Sequence, residues 1–303
     1  MIALEHRDGS STLTTGSDGE PMPFDKKAAV GKGPPYVWGR RRQIEHRVRE
    51  VEAVLAAVHG GKVPAVGHVL DPDCITLQGH SFGGATVLTV IARLQGQQQQ
   101  QQQTRQQQPS PPSVASCIVH DPAIDWMPDD ARIALLGTDP EDTISPADPS
   151  GRSDGNDGAS GTARASGGLR VPSAAAAAAR FKRVPTMHVF SATWARWNYA
   201  GYNRVKRNLA SGWYGDGSVF CALRGTAHFS FTDMNFLIPG PLARVLYFAG
   251  DAPPAEVLAV LRRITQPFLA EHWKDPDAVP ASAVAALQAE ASVFDLVATG
   301  AFA

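Results

Sequence analysis

The hydrophobic pattern along the chain alternates between two periods, and this alternation predicts strands separated by helices. Short apolar runs rich in β-branched residues predict strands at 1–6, 74–79, 114–120, 185–192 and 218–225. Apolar residues at spacings of three and four predict helices at 40–59, 82–94, 241–250 and 253–273. Such alternation is typical of an α/β fold, with a mostly parallel sheet and helices on both faces.

Two stretches of low complexity interrupt this pattern. Residues 95–113 form a polar glutamine tract closed by prolines, and residues 138–180 are rich in Gly, Ser, Asp and Ala. Neither stretch supplies large apolar residues for a core, so we interpret both as disordered surface insertions. We therefore expect a single domain over residues 1–273, carrying these two insertions, and an Ala-rich C-terminal tail at 274–303.

Composition narrows the classes of partner. The 303 residues are 43% hydrophobic and 19% charged, with a formal net charge of −1. This near-neutral charge argues against nucleic acid as a partner. No apolar run reaches the ~18 residues of a membrane span, so we expect no transmembrane segment. Cys74, Cys117 and Cys221 are far apart and predicted to be buried thiols. No cysteine or histidine spacing is typical of zinc, and we expect neither a metal nor a cofactor.

A serine between glycines stands where the second predicted strand meets the second predicted helix. The stretch Gly79-His80-Ser81-Phe82-Gly83 fits the nucleophile elbow, a tight strand-to-helix turn that exposes its serine above the sheet. Positions 79 and 83, Gly79 and Gly83, are expected to require small residues because the strand and helix backbones nearly touch in this turn. Ser81 is therefore the predicted nucleophile. The Phe82 backbone N–H, at the helix start, is predicted to face an oxyanion.

A serine nucleophile of this kind needs a histidine base that follows it in the chain. Chain order removes the histidines up to position 80, and His120 and His188 lie inside predicted strands. His272 ends the last predicted helix, where we expect a surface role. His228 stands in a loop directly after the strand at 218–225, at the edge where the base should lie. His228 is therefore the predicted base.

The carboxylate that orients this base has two candidates. The strand at 185–192, which precedes the histidine strand, ends without a carboxylate. One strand earlier, Asp121 lies directly at a strand end, and Pro122 restricts the turn that follows it. Asp125 comes four residues later and remains the alternative. Asp121 is the favoured acid.

Four stretches together resemble the platelet-activating factor acetylhydrolases, also called lipoprotein-associated phospholipases A2. They are IALEHRDGSS near the N-terminus, QGHSFGGATV around Ser81, IVHDPAIDWMP around Asp121 and RGTAHFSFTD around His228. The resemblance implies an α/β-hydrolase fold and a calcium-independent serine hydrolase that removes short or oxidised sn-2 acyl groups from glycerophospholipids. It places the family's triad on Ser81, Asp121 and His228. The implied partner is a phospholipid substrate, free or at a lipid interface.

The same resemblance places the predicted strand at 1–6 well inside the family's domain. We therefore expect that this chain lacks the first strands of the fold and the glycine-bearing loop that donates a second oxyanion N–H. The location of the protein stays open on this interpretation, with an intracellular one favoured. Two other functions compete with the phospholipase. One is a general esterase of the same fold, and the other is a truncated, inactive relative that acts as a scaffold.

Aromatic residues are dense at 193–215 and 228–236. They fit either an entrance to the active site that contacts lipid, or core packing beside a solvated basic helix face. Aromatic clusters pack cores more often than they bind lipid, so core packing is favoured.

Overall fold

The computed structural model describes residues 1–11, 14–16, 18–26, 34–64, 67–104, 112–137, 183–197, 199–210, 214, 217–232, 234–245, 249–274, 285 and 294–297. The insertion predicted at 138–180 lies outside the described residues, as do residues 105–111 of the glutamine tract. The predictions of disorder for these two segments therefore stay predictions.

A five-stranded sheet forms the centre of the described structure. Its strands are β1 at Thr76–His80, β2 at Ser116–His120, β3 at Thr186–Ser191, β4 at Val219–Leu223 and β5 at Phe294–Val297. They lie in chain order across the sheet. The first four strands are parallel, and β5 pairs antiparallel with β4. The structure is an α/β fold with a mostly parallel sheet, as the alternating pattern predicts.

Helices connect the parallel strands. The α-helices are α1 at Pro34–His59, α2 at Phe82–Thr104, α3 at Asp129–Leu136, α4 at Ala192–Trp197, α5 at Tyr199–Ala210, α6 at Met234–Leu237, α7 at Gly240–Val245 and α8 at Pro254–Lys274. Short 3-10 helices lie at Gly67–Val69, Ile124–Trp126 and His228–Phe231. Among the described helices, none combines the length and apolar character that crossing a membrane requires.

The central strands are buried on both faces of the sheet. Every residue of β2, β3 and β4 is buried. Successive side chains of a strand point to opposite faces, so Phe190 packs on one face and Val189 on the other. Residues of α1, α2, α3 and α5 cover the first face, and α8 covers the second. Near-continuous apolar strands are expected when helices cover both faces of a parallel sheet.

The strand predicted at 1–6 is wrong, because this segment has no regular secondary structure. Its polar neighbours bind α1 instead. His6 Nδ1 lies 2.7 Å from Glu50 Oε2, and Arg47 Nε donates to Asp8 Oδ2 at 2.6 Å. These contacts lay the segment along α1 and leave several of its apolar side chains exposed. The apolar run therefore does not pair with the sheet.

The prediction that the whole stretch 95–113 is a disordered insertion is also wrong at its start. Helix α2 continues past residue 94 and ends at Thr104. Glutamine has a good intrinsic helix propensity, and adding residues to an existing helix is far less costly than starting one. The buried first half of α2 therefore acts as the nucleus from which the glutamine tract extends.

Part of the predicted C-terminal tail at 274–303 joins the sheet. Strand β5 pairs with β4, with Val297 opposite Phe220 and Phe294 opposite Leu223. The four residues FDLV are too short a run to predict a strand from their pattern alone. Pairing with the fully buried β4 supplies the hydrogen bonds that define it.

The prediction of buried thiols is confirmed for two of the three cysteines. Cys117 and Cys221 are buried in β2 and β4, and all three cysteines are free thiols. Cys74 is only half-buried, because it precedes β1 and does not lie within it.

A buried histidine in β3 makes the stability of the fold sensitive to acid. His188 is fully enclosed, with its ring 4.7 Å from that of Tyr214 and 6.4 Å from that of Phe190. Burial lowers the pKa of His188 to about 3, whereas an exposed histidine in the unfolded chain has a pKa near ~6.5. Between these two values the unfolded chain binds a proton that the folded protein does not. The free energy of unfolding therefore falls as the pH drops below about 6.5.

We predict that His188→Met removes this contribution. The difference in unfolding free energy between the variant and the unsubstituted protein should favour the variant by about 2 kcal/mol more at pH 5 than at pH 7. Urea unfolding of both proteins at the two pH values measures this change. An identical difference at both pH values would contradict the assignment of a neutral, proton-excluding His188.

Candidate active site

Ser81 occupies the sharp turn between β1 and α2. Its φ is 55°, in the left-handed region that residues other than glycine rarely adopt. The Ser81 N–H donates to the His120 carbonyl at 2.8 Å, and the Ser81 carbonyl accepts from the Ala85 N–H at 3.1 Å. These bonds hold the turn between two strand ends and the first turn of α2. Strained backbone held by its surroundings is concentrated at functional sites.

The close approach that the elbow requires occurs at Gly79. A Cβ atom on Gly79 would lie 2.3 Å from the Gly83 carbonyl oxygen, so no larger residue fits. Gly83 does not meet the same restriction, because a Cβ atom there has no neighbour within 4 Å. The next residue, Gly84, is the restricted one on the helix side, since its Cβ would lie 3.0 Å from Pro122. The expected need for a small residue at Gly83 is therefore corrected to Gly84.

Ser81, His228 and Asp121 form a continuous line of hydrogen bonds at the carboxyl edge of the sheet. His228 Nε2 lies 2.8 Å from Ser81 Oγ, and His228 Nδ1 lies 3.1 Å from Asp121 Oδ2. A carboxylate accepts only, so Nδ1 carries the proton and Nε2 is left to accept from the serine hydroxyl. The three residues follow β1, β2 and β4, whose ends converge at this edge. The structure thus brings together the three residues that the sequence analysis favoured.

Asp121 is held in place more strongly than the sequence indicates. It is fully buried, its φ is 43°, and it receives two hydrogen bonds from Ser191 at the end of β3. The Ser191 N–H donates to Oδ1 at 2.7 Å, and the Ser191 hydroxyl donates to Oδ2 at 2.6 Å. Burial raises the pKa of Asp121, and the hydrogen bonds from His228 and Ser191 oppose that rise. The alternative acid, Asp125, is exposed in the 3-10 helix Ile124–Trp126 and is not the partner of His228.

Ser191 is a site residue that sequence reasoning missed. The sequence at the end of β3 contains no carboxylate, and a lone serine at a strand end does not by itself predict a donor to one. The register of the sheet places it beside Asp121, whose N–H donates to the Val189 carbonyl at 2.9 Å. A hydroxyl at the end of the strand adjacent to the acid is the signal that could have identified it.

Two more histidines, His80 and His120, lie at the site, although chain order and strand position argue against either as the base. His80 Nε2 lies 2.9 Å from the carbonyl oxygen of His228. Burial lowers the pKa of His80 to about 3, and burial lowers that of His120 to about 4. Both are therefore neutral near neutral pH, and neither repels a positive charge on His228.

Trp194 is another site residue that the sequence pattern does not identify. It comes from the aromatic stretch that was interpreted as core, and its ring stacks on that of His228 with centroids 4.0 Å apart and an interplanar angle of 17°. Core packing does describe Tyr202, in the same stretch, which contacts Phe190 and Phe220 edge-on. The stretch thus serves both the core and the site.

The predicted oxyanion donor lies beside the nucleophile. Phe82 is the first residue of α2, directly after Ser81. The first N–H groups of a helix have no acceptor within the helix, and the helix dipole places partial positive charge there. A developing negative charge next to Ser81 would therefore be stabilised at this end of α2. The role of Phe82 in an oxyanion hole stays a prediction.

Three of these side chains are also close enough to ligate a metal. One ligand atom from each of His80, Asp121 and His228 lies within 4.8 Å of the others. The same side chains already form hydrogen bonds, Asp121 with His228 Nδ1 and His80 with the His228 carbonyl. A metal on this set would displace the bond that orients His228. Among the described residues, these existing hydrogen bonds explain the grouping of the three side chains better than a metal does.

Comparisons with known proteins give no family for the chain: no family model matches it, and no curated protein matches it.

The elbow gives a stability prediction with a matched control. Gly79→Ala should destabilise the protein by about 2 kcal/mol or more, because its methyl group would overlap backbone that cannot move aside. Gly83→Ala lies inside α2 with open space around it, and should be neutral or stabilising by up to about 1 kcal/mol. Urea unfolding of both variants tests this. Equal stabilities would contradict the close approach at Gly79.

Proposed function

We propose that the protein is a serine-dependent carboxylic ester hydrolase with an α/β-hydrolase fold. The observation that carries the proposal is the line from Ser81 Oγ to His228 Nε2, 2.8 Å, and from His228 Nδ1 to the buried Asp121, 3.1 Å. The parallel sheet, the turn between β1 and α2, and the chain order of serine, acid and histidine support it further.

The proposed reaction begins with transfer of the Ser81 hydroxyl proton to His228 Nε2. Ser81 Oγ then attacks the ester carbonyl carbon, and the carbonyl oxygen becomes an oxyanion beside the Phe82 N–H. When the intermediate collapses, the bond to the alcohol oxygen breaks, and the alcohol leaves with the proton from His228. The acyl group is then bound to Ser81. His228 takes a proton from a water molecule, and the resulting hydroxide attacks the carbonyl carbon of this acyl group. The bond from that carbon to Ser81 Oγ then breaks, His228 returns its proton to Ser81 Oγ, and the carboxylic acid leaves.

Asp121 supports the reaction through His228. Its carboxylate fixes the proton on Nδ1 and stabilises the positive charge that the imidazole gains from Ser81. The two hydrogen bonds from Ser191 keep the carboxylate aimed at His228. Because Asp121 is excluded from solvent, its interaction with the imidazolium is weakly screened.

We further propose a glycerophospholipid with a short or oxidised sn-2 acyl group as the substrate. The resemblance of the motifs around Ser81, Asp121 and His228 to the platelet-activating factor acetylhydrolases supports this choice. The surface just beyond the His228 helix is also apolar. Phe236 and Leu237 on α6, and Val245 on α7, are exposed. Exposed large apolar side chains near a site are consistent with contact with a lipid surface.

A panel of esters tests the proposal. We expect hydrolysis of a phosphatidylcholine with an sn-2 acetyl group, much slower hydrolysis of one with sn-2 palmitoyl, and none by Ser81→Ala. Release of the sn-2 acid is measured by mass spectrometry. Faster hydrolysis of simple aryl esters than of any phospholipid would replace the phospholipase with a general esterase. No hydrolysis of any ester by the folded protein would favour the inactive scaffold.

A further inference from the structure

We propose that Trp194 and His80 clamp the two faces of the His228 ring and are positioning residues for it. This inference rests on the proposed function, because it concerns how the base of that reaction is held. The two rings lie 4.0 Å and 4.6 Å from the His228 ring, centroid to centroid, at interplanar angles of 17° and 34°. Two rings this close to the imidazole would crowd each other on one face, so we place the imidazole between them.

The clamp matters because His228 must keep one orientation through the reaction. A half-turn about its Cβ–Cγ bond would exchange Nδ1 with a carbon and break the hydrogen bond to Asp121. The same turn would move Nε2 away from Ser81. Flat rings against both faces obstruct that rotation, while the two nitrogens at the ring edge remain in contact with their partners.

Trp194 is fixed to the same groups that fix Asp121. Its backbone N–H donates to Ser191 Oγ at 3.1 Å, and that hydroxyl donates to Asp121 Oδ2. Its indole Nε1–H donates to the Pro122 carbonyl at 3.3 Å, in the turn that follows Asp121. These bonds hold the indole beside Asp121 and keep its face against the His228 ring. An indole face also attracts a cation, which favours the imidazolium formed after Ser81 loses its proton.

His80 packs on the second face of the His228 ring, and its own hydrogen bond holds it there. Because its pKa is lowered to about 3, the ring is neutral and carries a single proton. The His228 carbonyl can only accept, so that proton lies on His80 Nε2, 2.9 Å away. The bond fixes the backbone of the His228–Phe231 helix at its first residue. A neutral ring on this face also avoids repelling the imidazolium.

Substitutions at Trp194 separate this role from simple packing. We expect Trp194→Leu to lower kcat about tenfold, the effect of ~1.4 kcal/mol on the barrier, with KM unchanged. Trp194→Phe keeps a flat ring and should restore most of kcat. His80→Gln keeps an N–H donor and should retain more activity than His80→Leu. Rates are expressed per active site titrated with a fluorophosphonate, so loss of folded protein does not count as loss of kcat.

Trp273→Leu is the control, because Trp273 bonds to Thr76 at the opposite end of β1 from Ser81. It should leave kcat unchanged. The readout that does not need activity is the low-field proton resonance of His228 Nδ1–H. We expect it to be sharp in the unsubstituted protein and in Trp194→Phe, and broadened by exchange in Trp194→Leu. If no ester is hydrolysed, the line width of this resonance alone tests whether Trp194 and His80 hold the His228 ring. An unchanged resonance in Trp194→Leu, or an unchanged kcat per titrated site, would overturn it.

Discussion

The burial of the Asp121 carboxylate is the constraint on which the rest of the site depends. A carboxylate without access to water is costly unless hydrogen-bond donors compensate it. Here the donors are the Ser191 N–H, the Ser191 hydroxyl and His228 Nδ1. Each comes from a different segment than Asp121 itself, so satisfying one buried charge ties β2, β3 and the loop after β4 together. The geometry around Ser81 follows from this arrangement.

Burial also keeps two histidines around the site neutral. His80 and His120 are both neutral because burial lowers the pKa of each, to about 3 and about 4 respectively. A positive charge on His228 would then meet no like charge on His80 or His120, and it would be paired with Asp121. Trp194 adds a flat, polarisable face on one side of the ring. The neutral histidines and the hydrogen-bonded Asp121 would therefore both favour the proposed proton transfer from Ser81 to His228.

Much of this site could be predicted from the sequence because its parts are local. The elbow is a contiguous motif, and Asp121 and His228 each follow directly on a strand whose apolar pattern is clear. The roles of Ser191, Trp194 and His80 depend on which strands are neighbours, and single-strand patterns do not contain that information. Gly83 and Gly84 illustrate the limit even within a motif, because only the packing of Pro122 on α2 decides which of them must be small.

In the fold, too, some elements are set by their own sequence pattern and others by tertiary contacts. Strands β1 to β4 were predicted because each is a self-contained apolar run. The segment at 1–6 has a similar pattern but bonds to Glu50 and Arg47 of α1 through its polar neighbours, and this outweighs its strand propensity. Strand β5 has almost no pattern and exists through its pairing with β4. Tertiary contacts decide the state of both short segments.

If Ser81, His228 and Asp121 act as one nucleophilic unit, the rate at which a fluorophosphonate labels Ser81 depends on all three residues. The unsubstituted protein and Asp125→Asn should form the adduct on Ser81 at similar rates, as located by peptide mapping. Ser81→Ala should form none, and Asp121→Asn should react slower by a factor on the order of 10³–10⁴. Labelling of Ser81→Ala at the unsubstituted rate, or equal rates for the two aspartate variants, would show that the three residues do not act as one unit.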